Sequence, residues 1–261
     1  MIYIKKSNPP SEMLREVSRI KSSSDWRKIQ PDDTKAIRNK FNELPKAAIR
    51  QSLLEEQGGL CAYCMRRIEN NGHSTRIEHW YPLSADKERA LDYGNMLAVC
   101  HGGASNRGVQ GNDEEASDQD FNKKKVLCCD ASKGDESVLT ISPLNSRQME
   151  KIAYDKEDFI KTQPFDRILE NDMNEILRLN GLWKNKKFVA DTSTGLVKGR
   201  RDTYQQFERF VRKLDREKKC TSSQIKKQID AIQAMERKPE YVGVLLYFLK
   251  KKYEPLRKRS L

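Results

Sequence analysis

Apolar positions along the chain recur mostly at helical spacing, with short apolar runs set between the helical stretches. Leu14, Val17 and Ile20 fall on one face of a helix that Ser11 can cap. Asp32-Asp33-Thr34 opens a second helical pattern carrying Ile37 and Phe41. Pro45 suits the first turn of a third, with Ala48, Ile49, Leu53 and Leu54 following and Gly58-Gly59 ending it. Residues 2–4 are expected to form a short strand. Residues 65–69 and 74–79 are expected to pair as a hairpin around Asn70-Asn71-Gly72, because Asn-Gly favours the positive backbone angles of a tight turn. Met96-Leu97-Ala98-Val99 has strand length, as does 138–141, which Pro143 stops; Ile152-Ala153-Tyr154 reads as another strand. Residues 165–179 read as a helix with Ile168, Leu169, Met173, Ile176 and Leu177 as its stripe, while 183–190 is ambiguous. Three helices follow. Tyr204, Phe207, Val211 and Leu214 mark the first, and Ile225, Ile229 and Ile232 the second, with Ser222 or Ser223 as its cap. Pro239 starts the last, carrying Val244, Leu245 and Phe248.

This pattern predicts an α+β chain in which helices dominate. Between its periodic stretches lie a polar connection at 83–94 with room for a short helix, and a tract at 101–127 rich in Gly, Asn, Asp, Ser and Lys. That tract has little to bury and reads as a mobile insertion. At 261 residues the chain has length for one large domain or two ordinary ones. It lacks an apolar run long enough for a membrane span, and its first residues lack the apolar region of a secretory signal. A cytoplasmic setting with reduced cysteines is therefore expected. The sequence also holds no P-loop, so no site for hydrolysing ATP is legible in it.

Charge changes the picture in one respect. Residues 181–261 hold 22 Lys and Arg against 9 Asp and Glu, whereas the remainder holds 28 against 29. The overall charge of +12 thus belongs to the C-terminal third, and such a field attracts polyanions such as nucleic acid.

The candidate chemistry is concentrated between Cys61 and Gly134, where five of six cysteines and all three histidines lie. Cys61 and Cys64 stand two residues apart after a glycine pair, a spacing that lets two thiolates meet one zinc ion. Cys100 follows a short strand, and Cys128 or Cys129 can complete the set. Cys220, among lysines, reads as a plain thiol. Four thiolates leave zinc no open position, so the ion would be structural. Within the same stretch Glu78-His79 sits at a strand end, Asn95 precedes the next strand, and Asp130 and Lys133 follow the last cysteine pair. Taken singly, Asn95 reads as a turn residue, Asp130 as a helix cap and Lys133 as solvated.

Together and in this order they resemble the HNH, or ββα-metal, nuclease motif. There an acid and a His end one strand, an Asn precedes the next, and a Cys-(His/Asn)-x-x-Lys element opens a helix. Asp130 stands where His or Asn is usual, and an Asp is an equally good ligand for a hard cation. The resemblance selects Cys129 over Cys128 as the fourth zinc ligand. It makes His79 the general base, since imidazole titrates near neutrality. Glu78 and Asp130 become ligands of a catalytic Mg²⁺ or Mn²⁺. Asn95 becomes a brace for the loop that aims His79, and Lys133 the neutraliser of a neighbouring phosphate. Cys100-His101 with Asn106 offers a second register without the Lys spacing, and His73 reads as a surface residue of the hairpin.

Met1-Ile2-Tyr3-Ile4-Lys5 with Pro9-Pro10, Cys61-Ala62-Tyr63-Cys64, Ile77-Glu78-His79-Trp80 and Cys129-Asp130-Ala131-Ser132-Lys133-Gly134 extend the resemblance to the PtuB-like HNH endonucleases of Septu and retron-associated antiviral systems. It implies a helical N-terminal segment at 1–60, an HNH core with a zinc knuckle at 61–145, and a helical basic region at 146–261. It also implies a PtuA-like ATPase partner, in retron forms a reverse transcriptase with its msDNA, and a DNA or RNA substrate. The competing expectation is a non-catalytic zinc module that binds nucleic acid or scaffolds a partner, in which basic C-terminal residues such as Lys218, Lys219, Lys226 and Lys227 make the contacts.

Overall fold

The computed structural model describes residues 1–102, 127–134, 138–155, 158–184, 187–189 and 194–258. The N-terminal helices are α1 (Ser11–Ser22), α2 (Ser24–Lys28), α3 (Thr34–Asn42) and α4 (Lys46–Gln57). Local chemistry sets their ends: Ser23 caps α2 through Trp26 N–H, Asp33 caps α3 through Ala36 N–H, and Gly58 ends α4 in the left-handed conformation at φ 65°. Ile37, Ile49 and Leu53 are wholly buried, each worth roughly 1.5–3 kcal/mol over an exposed position. On α1 the buried residues are Met13 and Ile20, whereas Leu14 is exposed, so the true stripe is offset from the expected one.

The centre of the molecule is an antiparallel pair, β1 (Arg76–His79) and β2 (Met96–Val99), with Glu78 opposite Leu97 and His79 opposite Met96. All four residues of β2 are buried. On its far side, Ala62 N–H donates to Ala98 O (3.0 Å), and the Gln57 amide both donates to Ala98 O (2.8 Å) and accepts from Ala98 N–H (2.8 Å). Strand β2 is thus paired by β1 on one edge and held by the end of α4 and the Cys61 turn on the other.

The one-turn helix α5 (Asp130–Lys133) follows, then α6 (Ser146–Glu150), β3 (Ile152–Tyr154) paired antiparallel with β4 (Ile160–Thr162), and α7 (Arg167–Asn171), which widens into a π turn at Asp172–Ile176. Then β5 (Leu182–Lys184) and β6 (Lys187–Val189) make a hairpin, and α8 (Leu196–Arg216), α9 (Ser222–Ala234) and α10 (Val242–Lys258) complete the chain. The fold is α+β, mostly helical with small antiparallel sheets. Among the described residues no helix is long and apolar enough to cross a membrane.

Several local expectations are corrected. Residues 2–4 form no strand: Ile4 N–H donates to Pro143 O (2.9 Å), and Pro143 has no N–H to return the bond. Residues 65–69 do not pair with β1. They fold back on the end of α4 through Cys61 N–H to Arg66 O (2.9 Å) and Ile68 N–H to Gly59 O (3.1 Å), while Asn71 Oδ1 takes Ser74 N–H (2.8 Å). Residues 138–141 form no strand, because Thr140 and Ile141 N–H both donate to the buried carboxylate of Asp172, at 2.6 and 2.7 Å. The stretch at 165–179 is a short helix and a π turn, and Phe165 and Ile168 are exposed. Thr221 caps α9 in place of Ser222 or Ser223, and α10 begins at Val242 rather than Pro239. The ambiguous stretch after Gly181 is the β5–β6 hairpin, and most of the insertion at 101–127 lies outside the described residues.

The Asp172 carboxylate stands behind the centre of the molecule. It fixes Ile141, whose carbonyl accepts the Trp80 indole N–H (2.8 Å) just past the end of β1. Asp172→Ala leaves two N–H groups without their acceptor and is expected to cost about 2–4 kcal/mol of stability; Asp172→Asn, which keeps one acceptor, is expected to cost less. Denaturant unfolding of the three proteins checks this order, and an alanine variant as stable as the parent contradicts it.

Candidate metal centre and hydrolytic site

Cys61, Cys64, Cys100 and Cys129 are all buried and offer sulfur atoms that lie within 4.8 Å of one another. Cys61 Sγ is 4.0 Å from Cys129 Sγ, and Cys64 Sγ is 3.7 Å from Cys100 Sγ. Tetrahedral zinc with Zn–S of about 2.3 Å requires S···S edges of about 3.8 Å, so this donor set fits one zinc ion. Cys128 is turned aside, its sulfur 3.7 Å from the Arg66 guanidinium, which also reaches Cys100 Sγ at 3.6 Å. Cys220 lies outside the cluster.

Backbone geometry shows what assembling the four sulfurs demands. Cys129 has φ 56° and ψ −137°, a region costly for a residue with a Cβ, on the order of 1–3 kcal/mol. Its N–H is held by Leu177 O (2.9 Å) at the end of the π turn. Gly102, at φ +63°, accepts Cys128 N–H at its carbonyl (2.9 Å), and a Cβ there would come within 2.1 Å of Cys128 O. Glycine is the residue that lets the chain after Cys100 lie against the start of α5.

The hydrolytic candidates line one cavity. His79 Nε2 is 3.0 Å from Ala90 O; a carbonyl can only accept, so Nε2 carries the proton and Nδ1 the lone pair. Burial, then the neighbouring cations Lys46, Arg38 and Lys133, push its pKa down to about 4, so the ring is neutral at pH 7. Phe41 fixes the ring edge-on, with centroids 4.5 Å apart. Glu78 is buried and within hydrogen-bonding reach of Asp130; burial first, and the Asp130 charge second, raise its pKa well above the usual carboxylate range. Tyr63 O–H, between two of the cysteines, points at Glu78 Oε1 (3.5 Å).

Lys133 is buried rather than solvated. Its ammonium pairs with Glu78 Oε1 and donates to His79 O (2.8 Å) and Trp80 O (3.2 Å), tying α5 to the end of β1. Asn95 is buried too. It accepts Tyr81 N–H at Oδ1 (2.8 Å) and donates to Tyr81 O (2.9 Å) and Arg89 O (3.2 Å), locking the loop that leaves His79. Asp130 opens α5, with Cys129 in the cap position, and faces Arg76 at 3.5 Å. His101 stands apart from His79. Its Nδ1 accepts from Arg76 Nε (3.0 Å), and its Nε2 meets Gly72 O (2.8 Å). His73 is exposed, and Asn106 lies outside the described residues.

Glu78, His79, Asp130 and Lys133 line a cavity of about 500 Å³ whose wall also carries Arg38, Lys46, Arg50 and Arg76. Sequence reading missed these cations. The signal available was Lys46 and Arg50 four apart on one helix, a repulsive pairing that stability alone does not favour.

No family model matches the chain. It is similar to the Septu protein PtuB of Bacillus thuringiensis, with 21% identity over 206 residues, covering 76% of this chain and 75% of that protein.

The ligand geometry has a direct consequence for metal content. The purified chain is expected to carry one zinc, to lose it with Cys129→Ser, and to keep it with Cys128→Ser. Elemental analysis with thermal melts reads this out; zinc lost from the Cys128 variant and retained by the Cys129 variant would reverse the ligand assignment.

Proposed function

We propose that this PtuB-like chain is an HNH-type endonuclease that hydrolyses phosphodiester bonds of nucleic acid as an effector of antiviral defence. The observation that carries the reading is His79: a neutral imidazole, its Nε2 proton spent on Ala90 O, beside two crowded carboxyls in a cavity with a cationic wall. His79 Nδ1 takes a proton from the attacking water. Asn95 holds the Tyr81 backbone, and so the exit of β1, in place. Lys133 fixes the Glu78 carboxylate and the carbonyls that follow it.

Glu78 and Asp130 would hold a divalent cation, Mg²⁺ or Mn²⁺. Their chemistry fits one: two hard oxygen donors lie so close that the charge of one raises the pKa of the other, a repulsion that a bound cation relieves. Such a cation, when bound, supplies stabilisation of the charge developing on the phosphate and the leaving oxygen. The thiolate-bound zinc is structural, since four protein ligands fill its coordination. A PtuA-like ATPase partner is part of the proposal, consistent with a sequence that has no P-loop of its own. The site of action is the cytoplasm, where buried thiols stay reduced.

His79→Ala in the assembled complex with Mg²⁺ should reduce cleavage of DNA or RNA by about 10²–10⁴-fold, with the fold and zinc content retained. Equal cutting by the variant refutes the assignment of His79. Tight binding of nucleic acid without cutting by either protein favours the non-catalytic zinc module instead.

A further inference from the structure

The cavity has two walls of opposite character. On one side lie Glu78, paired with Lys133, and Asp130, paired with Arg76. The other is built by α3 and α4, which bring Arg38, Lys46 and Arg50 to the same space. Lys46 donates to Phe41 O and lies over the Phe41 ring. Burial, then the like charges of Arg50 and Arg38, push its pKa down to about 6, so at pH 7 its amine takes up a proton when an anion is bound beside it. Arg50 Nε is buried with no hydrogen-bond partner. Two guanidiniums and an amine that an anion would recharge meet there, and Arg50 Nε stays unpaired, an arrangement that an anion completes.

The position of this wall says which anion. The Phe41 ring touches the His79 imidazole on its edge and carries the Lys46 ammonium over it, so one side chain separates the cationic wall from the general base. The charges of Lys46 and Arg38 are felt at His79 itself. An anion held between the walls therefore lies beside the nitrogen that would activate water.

We propose that Arg38, Lys46 and Arg50 form a phosphate clamp that seats a phosphodiester of the strand to be cut against His79. This rests on the nuclease reading above and adds to it a role for the N-terminal helices, which are otherwise scaffold. The guanidinium forks of Arg38 and Arg50 suit two phosphate oxygens, and Lys46 adds a point charge.

The test uses the full zinc-loaded chain and fluorescence anisotropy of labelled duplex DNA, duplex RNA and single strands, with no added Mg²⁺ or Mn²⁺, over a range of salt. Each clamp cation replaced by glutamine should weaken binding and flatten the slope of log K against log salt by about 0.9 on duplex DNA or about 0.7 on single strands. The triple variant Arg38→Gln, Lys46→Gln, Arg50→Gln should lose two to three such contacts. Its melting temperature should equal or exceed the parent's, because like-charge repulsion is removed. His79→Ala should keep the parental slope. A triple variant with normal zinc content that binds with unchanged affinity and slope overturns the clamp, even if His79→Ala abolishes cutting and the nuclease reading stands. If nothing cuts but the triple variant still loses affinity and slope, the phosphate site is supported and it is the nuclease reading that fails.

Discussion

Four buried thiols have to be brought to one point, and most of the site's geometry follows from that requirement. They come from three places in the chain: the turn after α4, the residue past β2, and the residue before α5. Cys129 lies 68 positions beyond Cys61. A helix of one turn such as α5 has no stability of its own, because nucleation consumes more conformational entropy than a single turn returns. Its place is set from outside, by the Cys129 sulfur, by Leu177 O on the Cys129 N–H, and by Gly102 against Cys128. Asp130 and Lys133 both ride on this turn, so their positions depend on the cluster. Metal binding at such a cluster is also folding free energy.

The cysteine cluster and the candidate hydrolytic residues are joined at single-residue distance. Cys129 is followed directly by Asp130. Tyr63, inside the Cys61–Cys64 turn, reaches Glu78. Cys100 directly follows β2, which pairs with the strand that carries Glu78 and His79. The backbone strain at Cys129 belongs to the same design, since a residue with a Cβ is held where glycine would be easier because the sulfur is needed. The buried ammonium of Lys133 is a second costly feature. It is tolerated because a carboxylate and two carbonyls surround it, and together they pin the end of β1.

What the sequence made legible was whatever depended on spacing along the chain. The Cys-x-x-Cys turn, the Glu-His pair at a strand end, the Asn before the next strand, and most helices of the C-terminal half can be read that way. Pairings decided by distant groups could not. Residues 65–69 have strand composition, but Gly58 and Gly59 turn them back on α4 before they can meet β1. Residues 138–141 carry a strand pattern whose N–H groups go to a carboxylate more than thirty positions away. Lys133 reads as a solvated residue of a one-turn helix, and its burial follows from Glu78, which only the assembled cluster brings near. The cations of α3 and α4 were invisible for the same reason, since nothing local places Arg38 and Arg50 opposite His79.

The distribution of charge shows why counting it does not find the site. The positive excess sits after residue 181, yet many of those cations stand on exposed helical faces beside an acid of their own, as in Lys198–Asp202, Arg212–Glu208 and Lys226–Asp230. Such pairs are solvated, screened by salt, and worth little. The part of the chain before residue 181 is nearly neutral overall, and it supplies the three cations of the cavity wall. What distinguishes Lys46 from Lys226 is not the sign or number of nearby charges along the sequence but desolvation. Lys46 is largely removed from water among positive neighbours, whereas Lys226 has both water and Asp230. On the proposal made above, a polyanion drawn by the broad C-terminal field would be held at the clamp, where the buried Arg50 Nε has no partner, in the cavity that His79 also lines.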